Sequence, residues 1–201
     1  LLARKLGVEK FGILSISIAF VEVLNIILSL RIWEATTKFL GDIKENKESS
    51  SNLIINSIAL AIKSSAFACL IICFLTYNYS SLIFNYQIDI TRIIIIYSLF
   101  YVVFTANEVI DSSLRTFNSY KRILFNNVTS NFLRLILVFI ALSLSDDLIT
   151  IVSALGLSIL ISFFIKTWSL LRFMQNSNMP INFTNKNYPS TFMTYVFSTH
   201  F

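Results

Sequence analysis

Thr91–Arg115 reads TRIIIIYSLFYVVFTANEVIDSSLR. The segment begins as chain that dissolves in hydrocarbon and ends with Glu108, Asp111 and Arg115. Ser98, Tyr101, Thr105, Glu108, Ser112 and Arg115 recur at steps of three and four. That period places side chains along one side of an α-helix. The other faces carry Ile, Leu, Val and Phe. A helix with one polar stripe on an otherwise apolar surface predicts a membrane-spanning segment that lines a polar cavity in a bundle.

The composition of the rest of the chain agrees. Of 201 residues, 55% are hydrophobic and only 13% are charged, with a mean hydropathy of +0.72. Soluble domains carry about 25% charged residues, so a water-facing surface lacks material here. The net charge of +5 does not point to nucleic acid, because the cations are scattered between apolar runs rather than gathered on one face.

Long apolar runs are visible at Phe11–Ile32 (with helix continuing towards Leu40), Leu53–Thr76, Thr91–Ile110, Ile123–Leu144 and Leu148–Leu171. Each approaches the ~20 residues that a helix needs to cross about 30 Å of hydrocarbon. They are too long, and alternate too little, for barrel strands of about 9–11 residues. The expected fold is an all-α integral membrane protein, a polytopic bundle of about five transmembrane helices, over residues 1–174. Residues 175–201 are expected to form a polar loop and the start of a further helix. Gly41–Asn52 and Tyr77–Asp89 read as loops, and Asp146 or Asp147 as the cap of the last span.

Cations set the orientation. Lys38, Lys44, Lys47, Arg115, Lys121, Arg122, Lys166, Arg172 and Lys186 fall on one side, and Arg4, Lys5, Lys10 and Arg92 on the other. The first set is expected in the cytoplasm, which puts Leu1 outside and implies a helix upstream. With no initiator Met, the chain is expected to be a fragment.

Polar residues share faces on the other spans too: Glu22, Asn25 and Ser29; Asn56 and Lys63; Asn127, Asn131 and Arg134; Ser158, Ser162 and Lys166. A charge at the bilayer centre costs about 2.5–3.5 kcal/mol, so Glu22, Lys63 and Arg134 facing lipid would together cost on the order of 10 kcal/mol. Turning them into one shared interior removes most of that penalty. Interhelical ion pairs that only fix packing, Glu22 with Lys63 or Glu108 with Arg134, are the plainer alternative. Cys69 and Cys73, one turn apart in an apolar run, read as core. His200 is the only histidine, so neither a metal site nor a cofactor site is expected.

The N-terminal edge is more specific. LLARKLGVEKFGILSISIAF has the form A-R-x-L-G-x-x-x-F-G before an apolar helix, carried by Ala3, Arg4, Leu6, Gly7, Phe11 and Gly12. It resembles the start of the polysaccharide (O-antigen and teichoic-acid) flippase family of the multidrug/oligosaccharidyl-lipid/polysaccharide exporter superfamily. LSLRIWEATTKFLGDIKENK and LRTFNSYKRILFNNVTSNFLRLILVFIAL look like that family's later helix connections. The resemblance implies helices two to six of an N-terminal lobe in a bacterial cytoplasmic (inner) membrane. It also implies export of an undecaprenyl-pyrophosphate-linked glycan by alternating access, without enzymatic chemistry and inactive in this fragment alone. Its partners would be membrane lipid and other polysaccharide assembly proteins. Cations near the midplane suit the phosphates, with Arg134 and Lys63 first, then Arg31 and Arg4. Glu22, Glu108 and Asp111 would balance them or bind a coupling ion. The competing readings are a drug or cation exporter of the same superfamily, an integral-membrane glycosyltransferase or polysaccharide polymerase, and a structural membrane subunit.

Overall fold

The computed structural model describes residues 2–84, 88–145, 147–181 and 191–200, and all regular structure among them is helical. The helices are α1 (Leu2–Leu6), α2 (Val8–Leu28), α3 (Ile32–Ile43), α4 (Lys47–Phe84), α5 (Ile88–Tyr101), α6 (Phe104–Thr116), α7 (Tyr120–Leu144), α8 (Leu148–Asn176) and α9 (Phe192–His200). Five stretches are long and apolar enough to cross a membrane: α2, α4 as far as Tyr79, α5 with α6 from Ile90 to Thr116, α7, and α8. The chain is an all-α, multi-pass membrane protein, as its composition requires.

The connections depart from expectation. Most of the charged segment 41–52 is helical, because α3 runs to Ile43 and α4 begins at Lys47. The turn between them is closed by side chains. Ser50 Oγ donates to the Ile43 carbonyl at 2.9 Å, and Asn46 Oδ1 accepts from Ser49 N–H at 3.1 Å. Local capping thus replaces the coil that a serine-rich composition suggests. Much of Tyr77–Asp89 is also helix, with residues 85–87 outside the described set. Asp147 caps α8, accepting from Ile149 N–H at 3.4 Å; Asp146, Lys186 and Pro189 lie outside the described residues. The expected boundary at 174 falls inside α8, which runs to Asn176.

Two glycines matter. Gly7 separates α1 from α2 at φ +81°, a backbone state that favours glycine over any residue with a Cβ. An added Cβ at Gly12 would meet nothing within 4 Å, so this glycine permits no close approach among the described residues. It occurs at Gly156, where a Cβ would lie 2.2 Å from the Phe100 ring and 2.9 Å from Phe100 Cβ. The ring fills the notch that glycine leaves, and this sets how closely α5 and α8 approach. Gly156→Ala is therefore expected to cost about 1–3 kcal/mol through overpacking. The thermal midpoint in detergent should fall, whereas Gly41→Ala, with open space around it, should leave it in place.

The apolar interior is split into two cores at opposite ends of α4 and α8. One joins Ile32, Leu40, Leu53, Ile54, Ile110, Leu114 and Leu170 with Phe192 of α9. The other joins Val21, Ile72, Ile93, Ile94, Tyr97, Ile151 and Leu155. α9 docks on α3 through Phe39, whose ring lies 5.5 Å from that of Phe192. Ser158, Ser162 and Lys166 occupy the stretch of α8 between the cores, and Ser64 and Ser65 the matching stretch of α4. A polar layer separates two greasy ones.

Candidate functional site

Two helix interruptions define that layer. α2 ends at Ser29, whose backbone turns extended (φ −86°, ψ 142°), and α3 restarts at Ile32. The freed Leu30 N–H donates to Ser64 Oγ at 2.9 Å. The span from Ile90 to Thr116 is interrupted between Tyr101 and Phe104, at the β-branched pair Val102–Val103, which lowers local helix preference. Tyr101 and Phe104 stack across this break at 4.5 Å, and Thr105, in the first turn of α6, hydrogen-bonds Ser65. Adjacent serines of α4 thus hold both breaks. Irregular backbone at membrane depth is tolerated where protein or a cavity satisfies it.

Both breaks line one cleft of about 220 Å³, which takes in Asn25, Ser29, Arg31, Tyr101, Thr105 and Glu108. A second cleft of about 340 Å³ lies between three helices. α6 contributes Asn107, Glu108 and Asp111, α7 contributes Asn127, Ser130, Asn131 and Arg134, and α8 contributes Ser158, Ser162 and Lys166. The two clefts share Phe104 and Glu108. Glu108 sits at the junction, within electrostatic range of Asp111, Lys166 and Arg31.

The cations behave differently from one another. Lys166 is buried, and its Nζ donates to Asp111 Oδ2 at 2.5 Å. Arg31 pairs with Glu34 at 3.1 Å on the rim of the smaller cleft. Arg134 lines the larger cleft, is exposed, and has no paired carboxylate among the described residues. It acts electrostatically on Tyr97 and Tyr101, as does Glu22. Glu22 lines neither cleft but accepts from the Tyr97 hydroxyl at 3.4 Å. Glu22 and Arg134 thus act electrostatically, with opposite sign, on the same pair of tyrosines.

Lys63 and Arg4 are not brought in. Lys63 is exposed on the α4 face that carries Phe67, Leu70 and Phe74, although Asn56, seven residues earlier, is buried. Ala59, one turn before Lys63 on that face, is exposed as well, so cover of this face ends after Asn56. Arg4 is exposed on α1. Its neighbour Ala3 and Phe11 line an apolar groove of about 660 Å³ with Leu135, Ile136, Val138, Phe139 and Leu142 of α7.

Of the stripe on Thr91–Arg115, Tyr101, Thr105 and Glu108 reach the smaller cleft. Ser98 is buried against Cys69 and Cys73, Ser112 bonds the Val109 carbonyl, and Arg115 is exposed at the end of α6. Lys166 is the residue that a count of flanking cations misplaces. It belongs to the cleft, and its steps of four from Ser158 and Ser162 are the signal for that. Asn107 lies off the stripe on α6, whereas Ser130, three residues after Asn127 and four before Arg134, shares their face by the same spacing. Among the described residues no group of three His, Cys, Asp or Glu side chains is placed to hold a metal ion. The arrangement suits a polar or anionic group held beside hydrocarbon, since α7 passes from Arg134 directly to the residues of the apolar groove.

Residues 1–200 match the family described as polysaccharide biosynthesis protein. No curated protein and no solved structure gives a significant match.

Proposed function

Because this chain belongs to the polysaccharide biosynthesis protein family, we propose that it serves to export a lipid-linked oligosaccharide or polysaccharide precursor. The substrate would be a glycan on an undecaprenyl-type pyrophosphate, moved across a bacterial cytoplasmic membrane by alternating access, with no covalent chemistry. One observation carries this reading: three helices turn polar faces into a single cleft, and a guanidinium with no paired carboxylate among the described residues stands in it. Arg134 is the residue for the pyrophosphate, because its planar fork matches phosphate oxygens two at a time. The head group would lie in the larger cleft while the isoprenoid follows the apolar groove that begins at Leu135. Arg31, held by Glu34, offers a second contact at the rim of the smaller cleft. Glu22, Glu108 and Asp111 balance these cations or take up the proton or sodium ion that drives transport. Lys63 and Arg4 have no part in the site.

The two interruptions support alternating access, since broken helices at mid-membrane sites are where transporter halves bend or rock. The test is reconstitution of the protein in liposomes holding a polyprenyl-pyrophosphate glycan. Its transfer between leaflets is followed by the accessibility of the sugar to an external lectin. Transfer well above that of protein-free vesicles is expected, and transfer equal to theirs would remove the proposal.

A further inference from the structure

A third cleft, of about 290 Å³, lies between α7 and α8 at the end where α7 starts and α8 finishes. It shares no lining residue with the two polar clefts. Its ionic side chains are Lys121, Arg122 and Arg172, and no carboxylate lines it. None of the three is ion-paired among the described residues. Like charges around one cleft repel, and Lys121 and Arg122 sit in the first turn of α7, where the helix dipole disfavours cations. The fold nevertheless holds them there. Arg122 Nη1 donates to the Ser169 carbonyl at 3.5 Å, and its guanidinium lies 5.8 Å from the centre of the Phe173 ring. Arg172 stacks on Trp168 at 3.9 Å, a contact that orients the guanidinium plane and leaves its N–H edge for an oxygen. The missing counter-charge is an anion.

The surroundings indicate which kind. α7 and α8 pack side by side and run in opposite directions. One turn inward from the cations stand Phe125 on α7 and Trp168 on α8, both exposed and both lining the cleft. The next turn inward carries Val128 and Phe164, exposed on the same two faces. Charge, then aromatic ring, then hydrocarbon is the order of a phospholipid followed from its phosphate to its chains. A soluble phosphate would use the first rank alone. Basic pockets between membrane helices hold anionic head groups in this way.

We infer that this cleft binds the phosphate of an anionic glycerophospholipid, with Lys121, Arg122 and Arg172 on the phosphate oxygens and the chains lying over Phe125 and Phe164. The inference needs only that α7 and α8 cross the membrane, so it stands or falls independently of the proposed transport substrate.

The test uses the protein in nanodiscs whose lipids carry bromine on the acyl chains, which quenches a neighbouring tryptophan. The chain has two, Trp33 and Trp168, and Trp168→Phe gives the Trp33 signal to subtract. The quantity read is the apparent affinity at Trp168 of brominated phosphatidylglycerol relative to brominated phosphatidylcholine. A preference of about tenfold or more is expected, with Lys121→Ala and Arg122→Ala each lowering it about fivefold. Lys121 is exposed, so its replacement keeps the test sound if Arg122→Ala folds poorly. Lys44→Ala removes the same charge between α3 and α4, outside this cleft, and should leave the preference intact. Equal quenching by the two lipids overturns the inference. So does a preference that Lys44→Ala lowers as much as Arg122→Ala, since diffuse surface charge would then account for it. Loss of the preference when inorganic phosphate is added at constant ionic strength would make a soluble anion the occupant, and overturns it too.

Discussion

Replacing Lys166 with methionine is expected to destabilise the protein by about 3–5 kcal/mol. The ammonium is the sole hydrogen-bond donor described for Asp111, bonding Oδ2 at 2.5 Å, while Asp111 Oδ1 is buried without a partner. Methionine fills much of the same volume and removes the charge, leaving the Asp111 carboxylate, 17% exposed, without its cation. Removing one member of a buried pair is costly because the other keeps its desolvation penalty. For a protein of this size the change corresponds to a fall in thermal midpoint of roughly 10 °C. Asp111→Asn alone should be comparably damaging, since it strands the ammonium. Lys166→Met with Asp111→Asn should recover much of the loss, because a neutral pair leaves no buried ion. The recovery is a coupling energy, measured by four thermal unfolding curves. Additive losses would mean that the two side chains do not depend on one another.

The opposite pattern is expected at Arg134. Its side chain is exposed and unpaired among the described residues, so Arg134→Ala should change stability by no more than about 0.5 kcal/mol. Binding and transfer of the polyprenyl-pyrophosphate glycan should nevertheless fall at least tenfold, equivalent to about 1.4 kcal/mol or more. Arg134→Lys keeps the charge but loses the two-pronged geometry, and should fall between. Lys63→Ala should transfer at the parent rate, because Lys63 lies on the outer face of α4, away from both clefts. A large loss at Lys63 with none at Arg134 would reverse the assignment. Reading stability and transfer on the same preparations separates a folding defect from a lost contact.

The five spans were legible because their apolar length has no other use in a 201-residue chain. The faces of α7 and α8 were legible as well: Asn127, Asn131 and Arg134, and Ser158, Ser162 and Lys166, follow helical spacing and all line the larger cleft. The helix breaks were not. Val102–Val103 and Ser29–Arg31 contain no glycine or proline, and the second break is held from outside by Ser64, a contact that local sequence does not announce. Lys63 lies outside both clefts, and a helical face shared with Asn56 does not show where a neighbouring helix covers it. The turn at Lys44–Asn46 was read as a long loop because serine and charge suggest coil, whereas Ser50 and Asn46 cap the flanking helices. Asn107 acquires meaning only when α6 and α7 are brought together, whereas Ser130 follows the spacing of Asn127 and Arg134.

The central claim is that α6, α7 and α8 enclose one hydrated chamber inside the membrane. Cysteine labelling tests it most directly, in a background with Cys69 and Cys73 replaced by alanine. Asn131→Cys and Ser162→Cys should react with a charged, water-borne thiosulfonate and be protected by a polyprenyl-pyrophosphate glycan. Phe132→Cys, one residue away on the outer face of α7, should stay unlabelled in the bilayer. Labelling of Phe132→Cys with none at Asn131→Cys or Ser162→Cys would show that no such chamber exists.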